Sequence, residues 1–457
     1  MRSVSCVFSC VLFAAVSTAA TVSSIKDKST HEQTGLIEID DGAKSLKINA
    51  FCLNSKGQII AVCGTGPGEV RVVDDEGKIV NSWDVDVKPE SVGVADDDSI
   101  LVGGEGKLFR YGADGNLITE VDSPHADRLR DSKEALRKEA LAYLKRRQNS
   151  RDPLSSLKMR VTSYEAMMTQ LKERSEKSGL NESEERLVKM LPSMLERYQQ
   201  QIETMEAEAE KQSDEEKLAA EEARKKGPSE SEIKTQVASL VRSKMRVSSI
   251  SSNSDHVFVT TRGIEGYGYD VWKMSLDFSD AEVVVTGLSG CCGQMDVQCC
   301  ESGLFVAENS RDRVVHYDVD GNEITQWGKS DRTGVNGFSS CCNPMNVCFD
   351  NDGYIYTAES GSGRIKRFDS SGKLISYIGD VDLVPGCKNV SIAVSPVSDK
   401  IYMLDLTRNH IKVMEPKSKD SETVDSDVSE DDKSASKFPR NLGNAAIKIR
   451  FGKEAVQ

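Results

Sequence analysis

Four cysteines in two doublets are the residues of this chain best suited to chemistry. Cys291-Cys292 is followed three residues on by Met295, and Cys341-Cys342 by Met345. Thiolate with thioether is a soft donor set that favours Cu(I) over harder ions. Cys291, Cys292, Met295, Cys341, Cys342 and Met345 therefore form one candidate metal site, with Cu(I) as its cofactor. Two other chemistries are open to the same thiols. A bridge inside a doublet would join residues whose Cα atoms are about 3.8 Å apart, below the usual disulfide range, so it would be strained and easily reduced. Bridges to other cysteines would instead staple the fold.

The choice depends on the compartment. The chain opens with Arg2, an apolar run from Val4 to Val16, then Ser17, Thr18, Ala19 and Ala20. This pattern predicts a signal peptide over residues 1–20 and export of a periplasmic or secreted protein, the run being too short for a membrane span. Of the 12 cysteines, Cys6 and Cys10 would leave with the leader and ten remain: Cys52, Cys63, Cys291, Cys292, Cys299, Cys300, Cys341, Cys342, Cys348 and Cys387. An even number in an oxidising compartment makes disulfides the default expectation. A net charge of −14, with basic residues interleaved among acidic ones, argues against nucleic acid as a partner.

The elements that must position these residues repeat. The stretches beginning at Cys291 and Cys341 share one order: apolar strand, Gly or Asp turn, a strand such as GYIYTAE, a loop, a strand such as RIKRFD, a turn, and KLISYIG. Four short strands every 40 to 50 residues or so is the signature of a propeller blade. Four more copies open at INAFCL, ESVGVA, SSISSN and SIAVSP, giving six blades over residues 46–124 and 246–416. Gly77, Gly115, Gly321 and Gly372 share one turn position. Residues 21–45 form an N-terminal segment in which the alternating GLIEID at 35–40 is expected to pair with the His410 to Glu415 strand and close the ring; AIKIRF near the C-terminus is the other candidate.

This pattern resembles the NHL-repeat family of β-propellers. Pro344, Asp350, Gly353, Ile355, Tyr356, Arg364, Ile365 and Phe368 of blade five fit the family's unit, with Glu359 replacing its usual Asp, and blade four fits through Gly303, Glu308, Arg313 and Tyr317. The resemblance implies that residues before each first strand gather around a central channel. Cys291, Cys292, Cys341, Cys342 and Cys387 would then stand at one mouth. Similar six-bladed propellers include calcium lactonases and zinc lyases, the former needing several carboxylates around the channel. The aligned ring here reads Ala50, Ser91, Ser248, Asp296, Asn346 and Ser391, a poor cage. Glu308 and Glu359 read as anchors that accept backbone hydrogen bonds. The histidines His31, His125, His256, His316 and His410 do not converge in the sequence pattern.

Between blades two and three, residues 125–245 form a helical insertion. Leu157, Val161, Tyr164, Met168 and Leu171, and then Leu187, Leu191, Met194, Tyr198, Ile202 and Met205, keep a four-three spacing that predicts an antiparallel hairpin, or coiled coil. Asp152-Pro153 and Asn181 with Glu184 mark helix starts, Ser229 begins a last helix, and Pro192 is expected to bend or restart the second arm. Residues 417–457 are acidic and Ser-rich, the composition of a disordered tail. The fold class is thus mainly β, a six-bladed propeller with an inserted helical hairpin. The expected role is a protein-interaction scaffold, its partner another protein held by propeller loops or hairpin, with the hairpin also able to build a homo-oligomer. A redox or copper-handling protein is the first alternative and a divergent propeller hydrolase or lactonase the second.

Overall fold

The computed structural model describes residues 29–40, 46–149, 153–178, 182–211, 227–291, 293–331, 335–339 and 342–418. The leader, Cys292, Cys341, Asn181, AIKIRF and nearly all of the acidic tail lie outside the described residues. The described chain divides into two units, one of residues 1–131 with 244–457 and one of residues 132–243.

The first unit is a six-bladed β-propeller. Strand β1 (His31–Ile37) comes first in the chain and last in the ring. Blade one is β2 (Ile48–Leu53), β3 (Ile59–Cys63), β4 (Gly68–Val73) and β5 (Ile79–Val85). Blade two is β6 (Ser91–Val94), β7 (Ile100–Gly104), β8 (Lys107–Tyr111) and β9 (Leu117–Asp122). Blade three is β10 (Val247–Ser252), β11 (His256–Arg262), β12 (Tyr269–Ser275) and β13 (Glu282–Leu288). Blade four is β14 (Asp296–Cys300), β15 (Gly303–Glu308), β16 (Arg313–Tyr317) and β17 (Glu323–Trp327). Blade five is β18 (Asn346–Phe349), β19 (Ile355–Ala358), β20 (Arg364–Phe368) and β21 (Leu374–Asp380). Blade six is β22 (Ile392–Val394), β23 (Ile401–Asp405) and β24 (His410–Pro416), completed by β1.

Burial explains why these segments pair as they do. The second strands β3, β7, β15, β19 and β23 are buried along their whole length, and their sequences are correspondingly short and mostly apolar, with Thr357 inside β19 and an acid closing β15 and β23. The outer strands β5, β9 and β17 alternate between exposed and half-buried positions, because one face meets water. Inner strands β2, β6, β10, β14, β18 and β22 neighbour one another in turn, and β22 neighbours β2, so the ring is closed.

Closure uses the N-terminal strand, as the alternation of GLIEID suggested, with shifted bounds. β1 pairs antiparallel with β24 through Gly35↔Val413, Leu36↔Lys412 and Ile37↔Ile411, and the pairing begins at His31↔Pro416. Residues 38–40 have left the strand, and Arg71 fixes them by donating from Nη1 to the Ile39 carbonyl at 2.9 Å. The shared turn glycines also carry more than a positive φ. A Cβ on Gly115 would lie 2.7 Å from the Trp83 ring and one on Gly372 2.5 Å from Trp327, so in each case the outer strand of the preceding blade packs onto a turn that has no room for a side chain.

Between blades two and three the helical stretch begins with α1 (Pro124–Asp131), part of the propeller unit. The second unit holds α2 (Lys133–Asn149), α3 (Pro153–Ser178), α4 (Glu182–Lys211) and most of α5 (Glu230–Lys244). α3 and α4 form the expected antiparallel hairpin, with Tyr164 stacked on Tyr198 at 5.8 Å and Lys158 paired to Glu206 at 2.7 Å. Val161, Leu171 and Leu191 are buried in the seam. Pro192 does not restart the second arm, which stays helical through it. α5 starts on a capping box: Glu232 N donates to Ser229 Oγ at 3.2 Å and Ser229 N to Glu232 Oε2 at 2.8 Å.

The two ends of the insertion are clasped inside the propeller unit. His125 is buried, its Nδ1 2.7 Å from Ser123 Oγ and its Nε2 3.1 Å from the Lys244 carbonyl. The Lys244 ammonium in turn donates to the carbonyls of Gly263 at 2.9 Å and Gly266 at 2.8 Å.

Candidate functional site: the central channel and its mouth

All six ring residues read from the repeat line one cavity on the propeller axis: Ala50, Ser91, Ser248, Asp296, Asn346 and Ser391. In blade three a bulge between Val247 and Ser249 shifts the equivalent place by one residue, so that Ser249 pairs across to Thr260 as Asp296 does to Ala307. The cavity is about 40 Å³, space for a few waters and far below that of a typical ligand pocket.

Six polar side chains at or near it join neighbouring blades. Asn49 donates to the Pro89 carbonyl at 2.8 Å, which ties blade one to blade two. Glu90 Oε2 accepts Val247 N at 3.2 Å and Oε1 accepts Arg246 Nε at 3.1 Å, tying two to three. Ser249 Oγ accepts Val297 N at 3.1 Å, Asp296 Oδ2 accepts Val347 N at 2.8 Å, and Asn346 Oδ1 accepts Val390 N at 3.1 Å. Asn389 Nδ2 closes the circle on the Asn49 carbonyl at 3.1 Å. Burial raises the pKa of Asp296, and the hydrogen bonds from Val347, Gln298 and Asn346 offset part of that rise. Each bond satisfies a group that the packed inner strands would otherwise bury unpaired.

Sequence reasoning missed most of this circle. Its signal was present: Asn49, Asp296 and Asn346 stand at the start of a first strand and Asn389 three residues before one, where an unpaired polar residue would be costly.

On the loop face, acids at the ends of second strands behave as anchors. Glu308 accepts Ser289 N at 2.9 Å and Arg313 Nε at 2.5 Å, and Glu359 Oε2 accepts Ser339 N at 2.8 Å. Glu359 Oε1 lies 2.8 Å from Lys366 Nζ, with both side chains fully buried. Asp405 does the same work in blade six, accepting Thr407 N at 3.1 Å and Val384 N at 3.3 Å.

The structure gathers some of the cysteine and methionine residues and separates others. Cys342 and Met345 are buried in one apolar cluster, and Cys291 packs against it. Asn309 links blades four and five there, its Oδ1 accepting Cys291 N at 2.7 Å and its Nδ2 lying 3.5 Å from Met345 Sδ. Met295 lines the same channel but packs with Tyr269 and Val297 in the cluster of blades three and four, because it belongs to the preceding repeat. Cys387 is exposed. Among the described residues no three His, Cys, Asp or Glu side chains converge on a metal-sized site.

Cys52, Cys63, Cys299, Cys300 and Cys348 stand as free thiols, so the bridges expected to involve them are not formed in this structure. Their placement gives the reason: Cys52 faces Ile60 across the β2–β3 ladder and Cys63 faces Ile48, while Cys299 and Cys348 face Leu304 and Tyr356. Burial pushes the thiols of Cys52 and Cys63 up to about 12 and raises those of Cys299, Cys300 and Cys348. A thiol held protonated in this way is a weak nucleophile at neutral pH, since the thiolate is the reactive form.

The histidines are dispersed. His31 bonds the Asp399 carbonyl at 3.0 Å and His316 that of Ser302 at 3.0 Å. No helix among the described residues is long and apolar enough to cross a membrane.

No protein-family model and no curated protein matches the chain. Solved structures do resemble it. A streptogramin B lyase structure is 11% identical over 85% of this chain and 87% of that one, with a TM-score of 0.39. A calcium-binding protein, regucalcin, from Agrobacterium tumefaciens is 11% identical over 84% and 96%, with a TM-score of 0.41. The Pan2 WD40 domain of Neurospora crassa is 8% identical over 86% and 97%, with a TM-score of 0.40.

Proposed function

We propose that this chain is an exported, NHL-repeat-like propeller that serves as a protein-interaction scaffold, binding another protein through its loop faces or its helical hairpin. The observation that carries the reading is the circle of blade-joining bonds: Asn49, Glu90, Ser249, Asp296, Asn346 and Asn389 spend their hydrogen-bonding capacity on neighbouring blades. With a cavity of about 40 Å³ between them, the axis is suited to rigidity rather than to turning over a substrate, which also weighs against the lactonase reading. Loops on a rigid ring are the natural place for binding residues. Chemical cross-linking of the full chain in the cells that make it, followed by mass spectrometry, tests this. The scaffold reading expects cross-links from a second protein to propeller-loop lysines or to α3 and α4. A chain that sediments at its own monomer mass and forms no cross-link to another protein would overturn it.

A second reading has its own support. Cys291, Cys342 and Met345 of adjacent blades share one cluster, with Asn309 fixed between Cys291 N and the Met345 thioether. Two thiolates and a thioether suit Cu(I). After reduction and exposure to Cu(I), the exported protein is expected to hold one copper ion against a competing chelator, and Met345→Leu to weaken that retention tenfold or more. Copper lost equally from both proteins sinks this reading.

A further inference from the structure

The loop face above blade three holds more positive charge than its acids balance. Arg246 precedes β10 and Arg262 ends β11. A Cβ placed on Gly293 would lie 3.3 Å from Arg246 Nη1 and 3.3 Å from Arg262 Nη2, so these two nitrogens are no more than twice that distance, 6.6 Å, apart. Gly293 has a φ of +74°, and its carbonyl accepts from Arg246 Nη1 at 3.5 Å.

The acids nearby do not neutralise both cations. Glu90 accepts from Arg246 Nε, but it also accepts Val247 N and Glu105 N, and Lys88 Nζ stands 4.0 Å from it. Arg262 has no carboxylate partner among the described residues; its guanidinium lies 5.6 Å from the centre of the Tyr269 ring. On blades four, five and six the cations beside the second-strand acids are paired: Arg313 with Glu308, Lys366 with Glu359 and Arg408 with Asp405. The contrast is informative because like charges this close in a half-buried setting repel, and a fold keeps them there at a cost unless an anion joins them.

A second observation points the same way. Tyr269 is completely buried; its hydroxyl oxygen meets Arg262 as a donor, and its own proton has no acceptor among the described residues. It faces the same two cations: burial raises its pKa, and Arg262 and Arg246 counter part of the rise. A buried hydroxyl left short of an acceptor beside two guanidinium groups is the arrangement expected where an oxygen anion is missing.

We propose that Arg246 and Arg262, over Gly293 and beside Tyr269, form an oxyanion-binding site that takes a carboxylate or phosphate group. Guanidinium forks match both groups, and Gly293 adds no Cβ of its own beside the two nitrogens, where one would crowd both. The site lies apart from the axial cavity, since neither arginine lines it, and it does not depend on the scaffold reading.

Calorimetric titration of the full chain with inorganic phosphate, and separately with malonate, at constant ionic strength tests the site and tells the two sources apart. Saturable binding of at least one is expected, with Arg262→Gln weakening it tenfold or more and Arg262→Lys, which keeps the charge without the fork, weakening it less. Arg311→Gln, whose parent side chain is exposed and paired to Glu308 on the neighbouring blade, should bind as the parent does. Absence of saturable binding by either anion, or Arg262→Gln binding as tightly as the parent, would overturn the site.

Discussion

Replacing Lys366 by methionine is expected to destabilise the propeller by about 3–5 kcal/mol, the range for removing one partner of a buried ion pair. The side chains of Lys366 and Glu359 are both fully buried, 2.8 Å apart, and Lys366 Nζ also donates to the Gly337 carbonyl at 2.5 Å and stands 4.2 Å over the Phe338 ring. Desolvation lowers the Lys366 pKa, and the Glu359 carboxylate opposes that shift. Methionine fills much of the same space but leaves Glu359 buried with only hydroxyl and amide donors from Ser339 and Ser362. The double variant Lys366→Met with Glu359→Gln should therefore recover much of the loss, since no buried charge is stranded. Denaturant unfolding of the three proteins reads this directly, and a single variant within about 0.5 kcal/mol of the parent, an ordinary surface effect, would refute it. Arg313→Met should cost less than Lys366→Met, because Arg313 is partly exposed where Lys366 is not.

Acid is expected to loosen the clasp at the base of the insertion. Burial lowers the His125 pKa from 6.5 to about 4, with the backbone bonds to Lys244 and Met245 only partly compensating. The folded protein therefore holds this imidazole neutral while the unfolded chain protonates it. Its contribution is whole above pH 6.5, shrinks as the pH falls toward 4, and is gone below that. A drop of about 2.5 pKa units corresponds to roughly 3 kcal/mol. Unfolding free energies at pH 7, 5.5 and 4 should fall more steeply for the parent than for His125→Gln, which cannot titrate there. Parallel pH profiles for the two proteins would show that His125 does not carry this dependence. His31, His316 and His410 also have lowered pKa values from burial and add slope of the same sign.

Much of the fold could be read from the sequence because each blade repeats the same local instructions. Apolar second strands such as IIAVC, or IYML before Asp405, can only be buried, and alternating outer strands can only face water on one side. The closing strand was recognisable for the same reason, although its start at His31 was not, since HEQT carries no apolar face and is strand only because β24 offers it a ladder. Pro192 does not restart the second arm: its local preference against a helix interior yields to a long arm that packs on α3.

The doublets with which the chemistry began illustrate the division most clearly. Spacing alone matched Cys291 to Cys341 and Cys292 to Cys342 in neighbouring repeats, because a periodic pattern fixes position within a blade. It also gave the six positions that line the axis. Which side chains meet across blades depends on partners hundreds of residues away in some cases, such as Asn389 and Asn49, and no local pattern encodes that distance. The tertiary structure alone therefore decided that the axial polar groups join blades and that Met295 packs apart from Met345. It also decided that Asn309 links Cys291 to the next blade and that Arg246 and Arg262 converge on Gly293. Sequence determined the repeat; ring closure, which brings residues from separate repeats together, determined the sites.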